Sequence, residues 1–345
     1  MRWMKSSIHD SGGASLSLLE VKDLVIEYTT QKGTVHAVDG ISFALDEGEA
    51  LGLAGESGCG KTTTALALMR LLPHNGRIIR GSIRFRGKNL VTLSELSIRR
   101  IRWKEISIIF QGAMNSLNPI RRIGDQIAEP ILLHEGVEKQ VARRRAGDLL
   151  EVVGINRNRL RDYPHEFSGG MRQRVMIAMA LACNPKIVIA DEPVTALDVM
   201  IQAQILELLE RLKRELDLSM ILISHDLSVM AETCDRVAIM YAGRMMEYGQ
   251  TVDIFTGPKH PYTQGLVGAF PDIRGARTIP ESIPGAVPSL INPPSGCVFH
   301  PRCKFAFDRC TDHIPSPSAV SGRDVACFLY PEVQEVSPRL VEAKL

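Results

Sequence analysis

Several residues in this 345-residue chain have types and spacings that suit phosphate chemistry. The run Gly55-Glu56-Ser57-Gly58-Cys59-Gly60-Lys61-Thr62-Thr63 follows the apolar stretch Ala50–Ala54 and opens a helical pattern over Thr63–Leu72. Its glycines let the backbone curl so that several N–H groups point at phosphate oxygens, reinforced by the positive end of the following helix. Lys61 would reach the β- and γ-phosphates and Thr62 would place its hydroxyl on Mg2+, which is how a P-loop works. A second anion-binding nest is Ser168-Gly169-Gly170, a hydroxyl and two amides ahead of the apolar helical run Val175–Ala182. The strand-like run Lys186–Ala190 ends in two carboxylates, Asp191 and Glu192, a pattern that on its own equally suits a solvated turn. Finally, Cys297, Cys303, Cys310 and Cys327 are spaced C-x5-C-x6-C-x16-C. Four thiols can bind zinc or an iron–sulfur cluster, or remain reduced structural residues. The spacing matches neither a zinc-knuckle pair nor a ferredoxin run, so the residues alone leave these choices open.

The elements that must position these groups follow from periodicity. Short β-branched runs (Ala50–Ala54, Ile106–Phe110, Ile187–Asp191, Met220–Ser224, Arg236–Tyr241) alternate with helical patterns, which predicts a mostly parallel sheet flanked by helices. Ile201, Ile205, Leu208, Leu209, Leu212 and Leu216 mark one face of a helix. Leu18–Thr29, Val35–Leu45 and Gly81–Arg86 alternate like half-buried antiparallel strands, and 124–182 has no strand signal and reads as a helical insertion. Thirteen of the 19 prolines and four of the seven cysteines fall in Pro258–Leu345, which predicts a loop-rich appendage with few large apolar residues of its own. The expected fold is an α/β P-loop NTPase core with an antiparallel β-subdomain, an inserted α-helical subdomain and a Cys-rich C-terminal extension. Its divisions are a tail over 1–16, a nucleotide-binding domain over 17–257 and the extension over 258–345.

Bulk composition narrows the class. Charged residues make up 23% and the net charge is +2, which gives no footprint for coating nucleic acid. No run approaches the roughly 20 apolar residues of a membrane span, and Met1–Ala14 lacks the apolar core of a secretory signal. The cysteine content is too low for a disulfide scaffold. The expectation is a cytosolic chain that meets membranes only by docking on other proteins.

With Phe167-Ser168-Gly169-Gly170-Met171-Arg172-Gln173-Arg174 added to the P-loop, the chain resembles the ATP-binding-cassette (ABC) ATPases, and specifically the oligopeptide/dipeptide branch over roughly residues 18–330. Phe167 and Met171 replace a commoner Leu and Gln, but neither position supplies the hydroxyl or amides that meet phosphate. The resemblance implies that Asp191 is the Walker B aspartate holding Mg2+ through water and Glu192 the general base for the attacking water. By the same resemblance Asp198 belongs to the D-loop that communicates across the dimer, and His225 is the switch residue contacting the γ-phosphate. Gln111 is the Q-loop residue sensing Mg2+ and water, although no acidic residue follows it here. Tyr28 is the aromatic that stacks on adenine. Ser168, Gly169 and Gly170 would close on ATP held by the opposite subunit.

The family also implies partners: a second ABC ATPase subunit, in this branch usually a related heterodimer partner, two polytopic permease subunits, and an extracytoplasmic solute-binding protein. It places the chain at the cytoplasmic face of the cell membrane. The branch carries this same extension, beginning His260-Pro261-Tyr262-Thr263, and some members hold a 4Fe-4S cluster on its cysteines, with Zn2+ the alternative. His300 and His313 are nearby substitutes for a missing thiol. The function implied is ATP hydrolysis energising an importer of peptides; nickel-chelate or oligosaccharide import, or a non-transport ABC ATPase, are the alternatives. Because 297–327 lies outside every ATP-contacting motif, the extension is expected to act as a staple, separate from the nucleotide chemistry.

Overall fold

The computed structural model describes residues 17–112, 116–195, 197–269 and 283–335; the tail expected over 1–16 lies outside them. The chain begins with β1 (Leu19–Thr30), β2 (Gly33–Leu45), β3 (Ala50–Ala54), α1 (Lys61–Leu68), β4 (Gly76–Phe85), β5 (Lys88–Asn89) and α2 (Glu95–Ile101). It continues with β6 (Ile106–Ile109), α3 (Ile123–Glu135), α4 (Lys139–Val152), α5 (Gly169–Ala180), β7 (Ile187–Asp191), α6 (Val199–Leu216) and β8 (Ser219–Ile223). Then come α7 (Leu227–Thr233), β9 (Arg236–Tyr241), β10 (Arg244–Gln250), α8 (Thr251–Thr256), α9 (Pro261–Gly268), α10 (Asp308–Asp312), β11 (Ser318–Val320) and β12 (Arg323–Val325).

These strands form two sheets. The smaller is antiparallel with order β2-β1-β4-β5, and the larger runs β11-β12-β10-β9-β3-β8-β7-β6. Strands β9, β3, β8, β7 and β6 are parallel, and β3, β7 and β8 are fully buried, as sequences apolar up to the Asp191 that ends β7 allow when both faces are covered. Alternation divides their side chains between two cores. Leu51, Leu53, Ile187, Ile189, Ile221 and Ile223 face α1 and the small sheet. Val188, Ala190, Met220 and Leu222 face a core built with α3, α4, α5 and α6. Between β6 and β7 the described residues hold helices and no strand, and α6 buries Ile205, Leu208, Leu209 and Leu212 while Leu216 sits half-exposed at its end.

Two features depart from the sequence expectation. Strand β10 follows β9 through a two-residue turn, Ala242-Gly243, with both φ angles positive (46° and 80°). That mirror-image turn suits a hairpin, but an alanine in its first place and the lack of clean alternation in Arg244–Gln250, with Met245 and Met246 adjacent, hide it from pattern reading. The second departure is that residues after 257 are no appendage. Strand β12 pairs with β10, so the larger sheet crosses the expected boundary. Val298, Phe299, Val320, Val325, Phe328 and Val333 bury themselves in the same core as the helices. The buried Glu247 of β10 accepts hydrogen bonds from the amides of Lys259 and His260 and from Arg323 Nη1 (3.2 Å), which ties this segment down without any metal.

Candidate active site

The parallel strands all present their carboxyl ends to one edge, the place where an open α/β sheet leaves a crevice for ligands. The P-loop leaves β3 there. Gly55 has φ +145°, and a Cβ on it would lie 2.1 Å from the carbonyl oxygen of Met240; Gly60 has φ +105°, and a Cβ would lie 2.4 Å from that of Ala37. Only glycine fits two such approaches, so the loop is pressed between β9 and β2. Helix α1 starts at Lys61 with no side-chain cap, so no side chain occupies its N-terminal amides. Lys61 is 6% exposed, and its Nζ donates to the carbonyls of Gly55 (2.6 Å) and Glu56 (3.1 Å), with Cys59 Sγ at 3.7 Å. A buried ammonium whose hydrogen-bond partners include no anion is suited to receiving one.

Thr62 Oγ1 donates to Oδ1 of Asp191 at 3.2 Å, which joins the P-loop to the end of β7. Asp191 is 1% exposed, and its pKa is pushed up chiefly by burial and by the neighbouring Glu192, against the Thr62 hydrogen bond and the Lys61 charge. A hydroxyl and a carboxylate in contact are the donor set of a hard cation such as Mg2+.

The next residue, Glu192, has a left-handed φ of 46°, an unfavourable conformation for a glutamate that the hydrogen bond its N–H donates to the Ile223 carbonyl (2.9 Å) helps to hold. The turn aims its carboxylate at a converging set. Gln111 Nε2, past the end of β6, donates to Oε2 at 3.0 Å, and Thr195 Oγ1 donates to the same oxygen at 2.7 Å. His225 Nδ1, past the end of β8, lies 3.4 Å from Oε1. Gln111, Glu192 and His225 are thus brought together as expected. Thr195, which sequence reasoning passed over, joins them through a strained turn that no sequence pattern announces.

Other expected residues stand apart. Ser168 caps α5 by accepting from the Met171 amide (3.4 Å), and Asp198 caps α6 by accepting from the Ile201 amide (3.0 Å). Among the described residues no hydrogen bond or ion pair joins Ser168, Gly169, Gly170 or Asp198 to the P-loop of the same chain. Tyr28 on β1 is half-buried and its hydroxyl donates to Thr63 Oγ1 at 3.3 Å, beside the start of α1.

The four cysteines after residue 290 line one small cavity together with His260, His300, Phe299 and Phe328. Burial pushes the Cys297 thiol up to about 11 and Cys327 up to about 12, and raises Cys303 as well. Among the described residues no three His, Cys, Asp or Glu side chains form a group that could hold a metal ion. His260 accepts from the Tyr262 amide through Nδ1 (3.0 Å), and burial drives its pKa down to about 3, so it stays neutral. His313 pairs with Glu335 (2.7 Å) and does not line the cavity, which removes it as a substitute ligand.

The expectation that 297–327 is separate from the nucleotide motifs is overturned. Arg302, one residue before Cys303, donates from Nη1 and Nη2 to the two carboxylate oxygens of Glu56 in the P-loop (2.7 and 3.1 Å). The Glu56 amide donates to Tyr262 Oη at 3.0 Å. Glu56 was grouped with the nucleotide ligands, but both its amide and its carboxylate are engaged by the C-terminal segment.

Comparisons with known proteins agree with this geometry. A family profile described as ABC transporter matches residues 38–195, and one described as oligopeptide/dipeptide transporter, C-terminal region, matches residues 246–310. The chain is 50% identical over 315 residues (90% of this chain, 93% of the relative) to the oligopeptide transport ATP-binding protein OppD of Salmonella typhimurium. It is 48% identical over 318 residues (90% and 94%) to the dipeptide transport ATP-binding protein DppD of Bacillus subtilis. Among solved structures, the dimeric post-hydrolysis state of the ATP-binding cassette MJ0796 bound to ADP and Pi superposes with a TM-score of 0.61 at 25% identity, over 68% of this chain and 98% of that one. Among the described residues no helix is long and apolar enough to cross a membrane.

Proposed function

The chain belongs to the ABC transporter family, in its oligopeptide/dipeptide branch, and from that premise we propose that it hydrolyses ATP to energise a membrane importer of peptides. The observation that carries this reading is the convergence of Gln111, Thr195 and His225 on Glu192, beside the Asp191–Thr62 contact and the buried Lys61. In this reading the Gly55–Gly60 loop, through amides other than that of Glu56, and the Lys61 ammonium bind the triphosphate, and Thr62, Asp191 and Gln111 hold Mg2+ and its waters. Glu192 takes the proton of the attacking water at its carboxylate, His225 contacts the γ-phosphate, and Tyr28 and Thr63 border the base and the phosphates.

Ser168, Gly169 and Gly170 serve a nucleotide in trans, on a related second ATPase subunit, with Asp198 at that same interface. Their lack of any bond to the P-loop of their own chain supports this. ATP then favours the closed pair because only there do both phosphate-binding surfaces engage. Residues 17–257 act as the motor, with 124–182 as its helical subdomain. Two permease subunits receive the stroke, a solute-binding protein delivers cargo to them, and the chain sits peripherally on the cytoplasmic face of the membrane.

In the C-terminal segment, 258–345, we assign Cys297, Cys303, Cys310 and Cys327 to a 4Fe-4S cluster. Four thiols from separate points of the chain around one cavity suit that donor set. When bound, the cluster would supply a rigid cross-link. The raised pKa values of Cys297, Cys303 and Cys327 mean that loading must displace protons.

The test is peptide uptake into vesicles holding the complete complex. Uptake should require ATP and stop when Glu192→Gln replaces the native chain; ATP-independent uptake, or normal uptake with the variant, would reject the reading. Metal analysis of anaerobically purified protein should find about four iron and four sulfide per chain, and stoichiometric zinc without iron would replace the cluster.

A further inference from the structure

Glu56 is the only acid among the nine residues Gly55–Thr63, a loop whose other features attract polyanions. Its backbone carbonyl accepts from Lys61 Nζ at 3.1 Å, so the residue belongs to the same turn of chain that would meet the phosphates. An unpaired carboxylate there would repel a triphosphate. The structure deals with it from a distance of 246 residues along the chain. The Arg302 guanidinium is 6% exposed and forks the carboxylate with two donors, the pairing its planar shape matches best. Its remaining bonds fix it in place: Nε donates to the Pro284 carbonyl (2.8 Å), Nη2 to that of Ile283 (3.2 Å), and Nη1 to Tyr241 Oη (3.1 Å). Tyr241 in turn packs against Tyr262 with the ring planes tilted by 56° and 4.6 Å between centroids, and Tyr262 Oη accepts from the Glu56 amide.

We propose that Arg302 is a positioning residue of the nucleotide site: by neutralising and fixing Glu56 it lets the P-loop accept ATP, so that the C-terminal segment sets nucleotide affinity. The proposal rests on the P-loop reading above and adds to it a control point that lies outside the cassette motifs. It is separate from the anchoring of Ile283 and Pro284, which Arg302 also performs, because only the Glu56 contact has a charge to cancel.

Titration of the full-length chain with a fluorescent ATP analogue and Mg2+ separates the two roles. Arg302→Gln should weaken binding by about tenfold, the scale of one unpaired charge near the phosphates in a partly wet site. Adding Glu56→Gln to it should bring affinity back to within about threefold of the native chain, because the repelling charge is gone. A purely structural Arg302 would not be rescued in this way. The inference is overturned if Arg302→Gln binds ATP as tightly as the native chain, or if the double variant stays as weak as the single one. Should Arg302→Gln fail to fold, Arg302→Lys keeps the charge but loses the fork; it should weaken binding by about threefold and likewise be rescued, and no loss again overturns the idea. Lys61→Ala distinguishes the levels. If it abolishes binding while the Arg302 variants bind normally, only this inference fails; if it too binds normally, the P-loop reading itself is wrong.

Discussion

The two regions that meet at Glu56 are held together in different ways. On the cassette side, largely apolar parallel strands send alternate side chains into two apolar cores, and chemistry gathers at their carboxyl edge. On the C-terminal side, regular structure is sparse: two strands of three residues, short helices, a buried Glu247–Arg323 pair, an aromatic group around Phe299, and four thiols. Hydrophobic burial is nondirectional and tolerates local change, whereas a buried ion pair fails when either partner is lost. The cassette should therefore lose function without losing its fold, and the C-terminal segment, outside the Arg302–Glu56 contact, should lose stability first.

The sharpest break of that contrast is Glu247→Ala. It strands a buried guanidinium and two amides, so the expected cost is on the order of 3–5 kcal/mol, read as a lower denaturant midpoint. Unchanged stability would show that the strand pairing of β10 with β12 suffices alone. Glu192→Gln should do the opposite: hydrolysis falls by at least about 10²-fold while ATP binding and the melting temperature persist. Near-native turnover in that variant would remove Glu192 from the base role.

The contrast also explains what could be read from sequence. A phosphate cradle needs consecutive backbone amides, so Gly55–Thr63 declares itself, and both of its crowded glycines have a reason in space. Asp191 ends a buried strand and Glu192, Gln111 and His225 lie just past strand ends, and parallel strands put all four at one edge. Thr195 escaped because its contact depends on the left-handed turn at Glu192, and β10 because its hairpin uses alanine where glycine or asparagine is usual. Arg302 escaped for a plainer reason. Ion pairs between distant segments leave no periodicity, and a proline-rich stretch gives no strand or helix from which to project one.

A smaller effect sharpens the cassette side. Ser168→Arg should leave ATP affinity of the isolated chain unchanged, since the Ser168 hydroxyl is spent on capping α5 and touches no P-loop residue. In the assembled complex the bulky cation would block the nest, and hydrolysis should fall by about tenfold or more, as for loss of a preorganised donor set. If the isolated chain loses affinity as Lys61→Ala does, the trans assignment is wrong.

The smallest expected effect tests whether the two regions are as separate as their construction suggests. Cys303 follows Arg302 directly, and its amide donates to the His300 carbonyl within the same short turn. Cys303→Ser removes a thiol from the cavity wall and loosens that turn, but Arg302 keeps its bonds to Pro284, Ile283 and Tyr241. The fork to Glu56 should therefore weaken without breaking. We expect the KM for ATP to rise by about threefold with kcat unchanged, a smaller shift than for Arg302→Gln because the charge remains. A change confined to stability, with the KM untouched, would mean that Arg302 is anchored independently of the thiols. A fall in kcat at unchanged KM would place the influence of the thiol cavity on closure of the paired subunits and not on the P-loop.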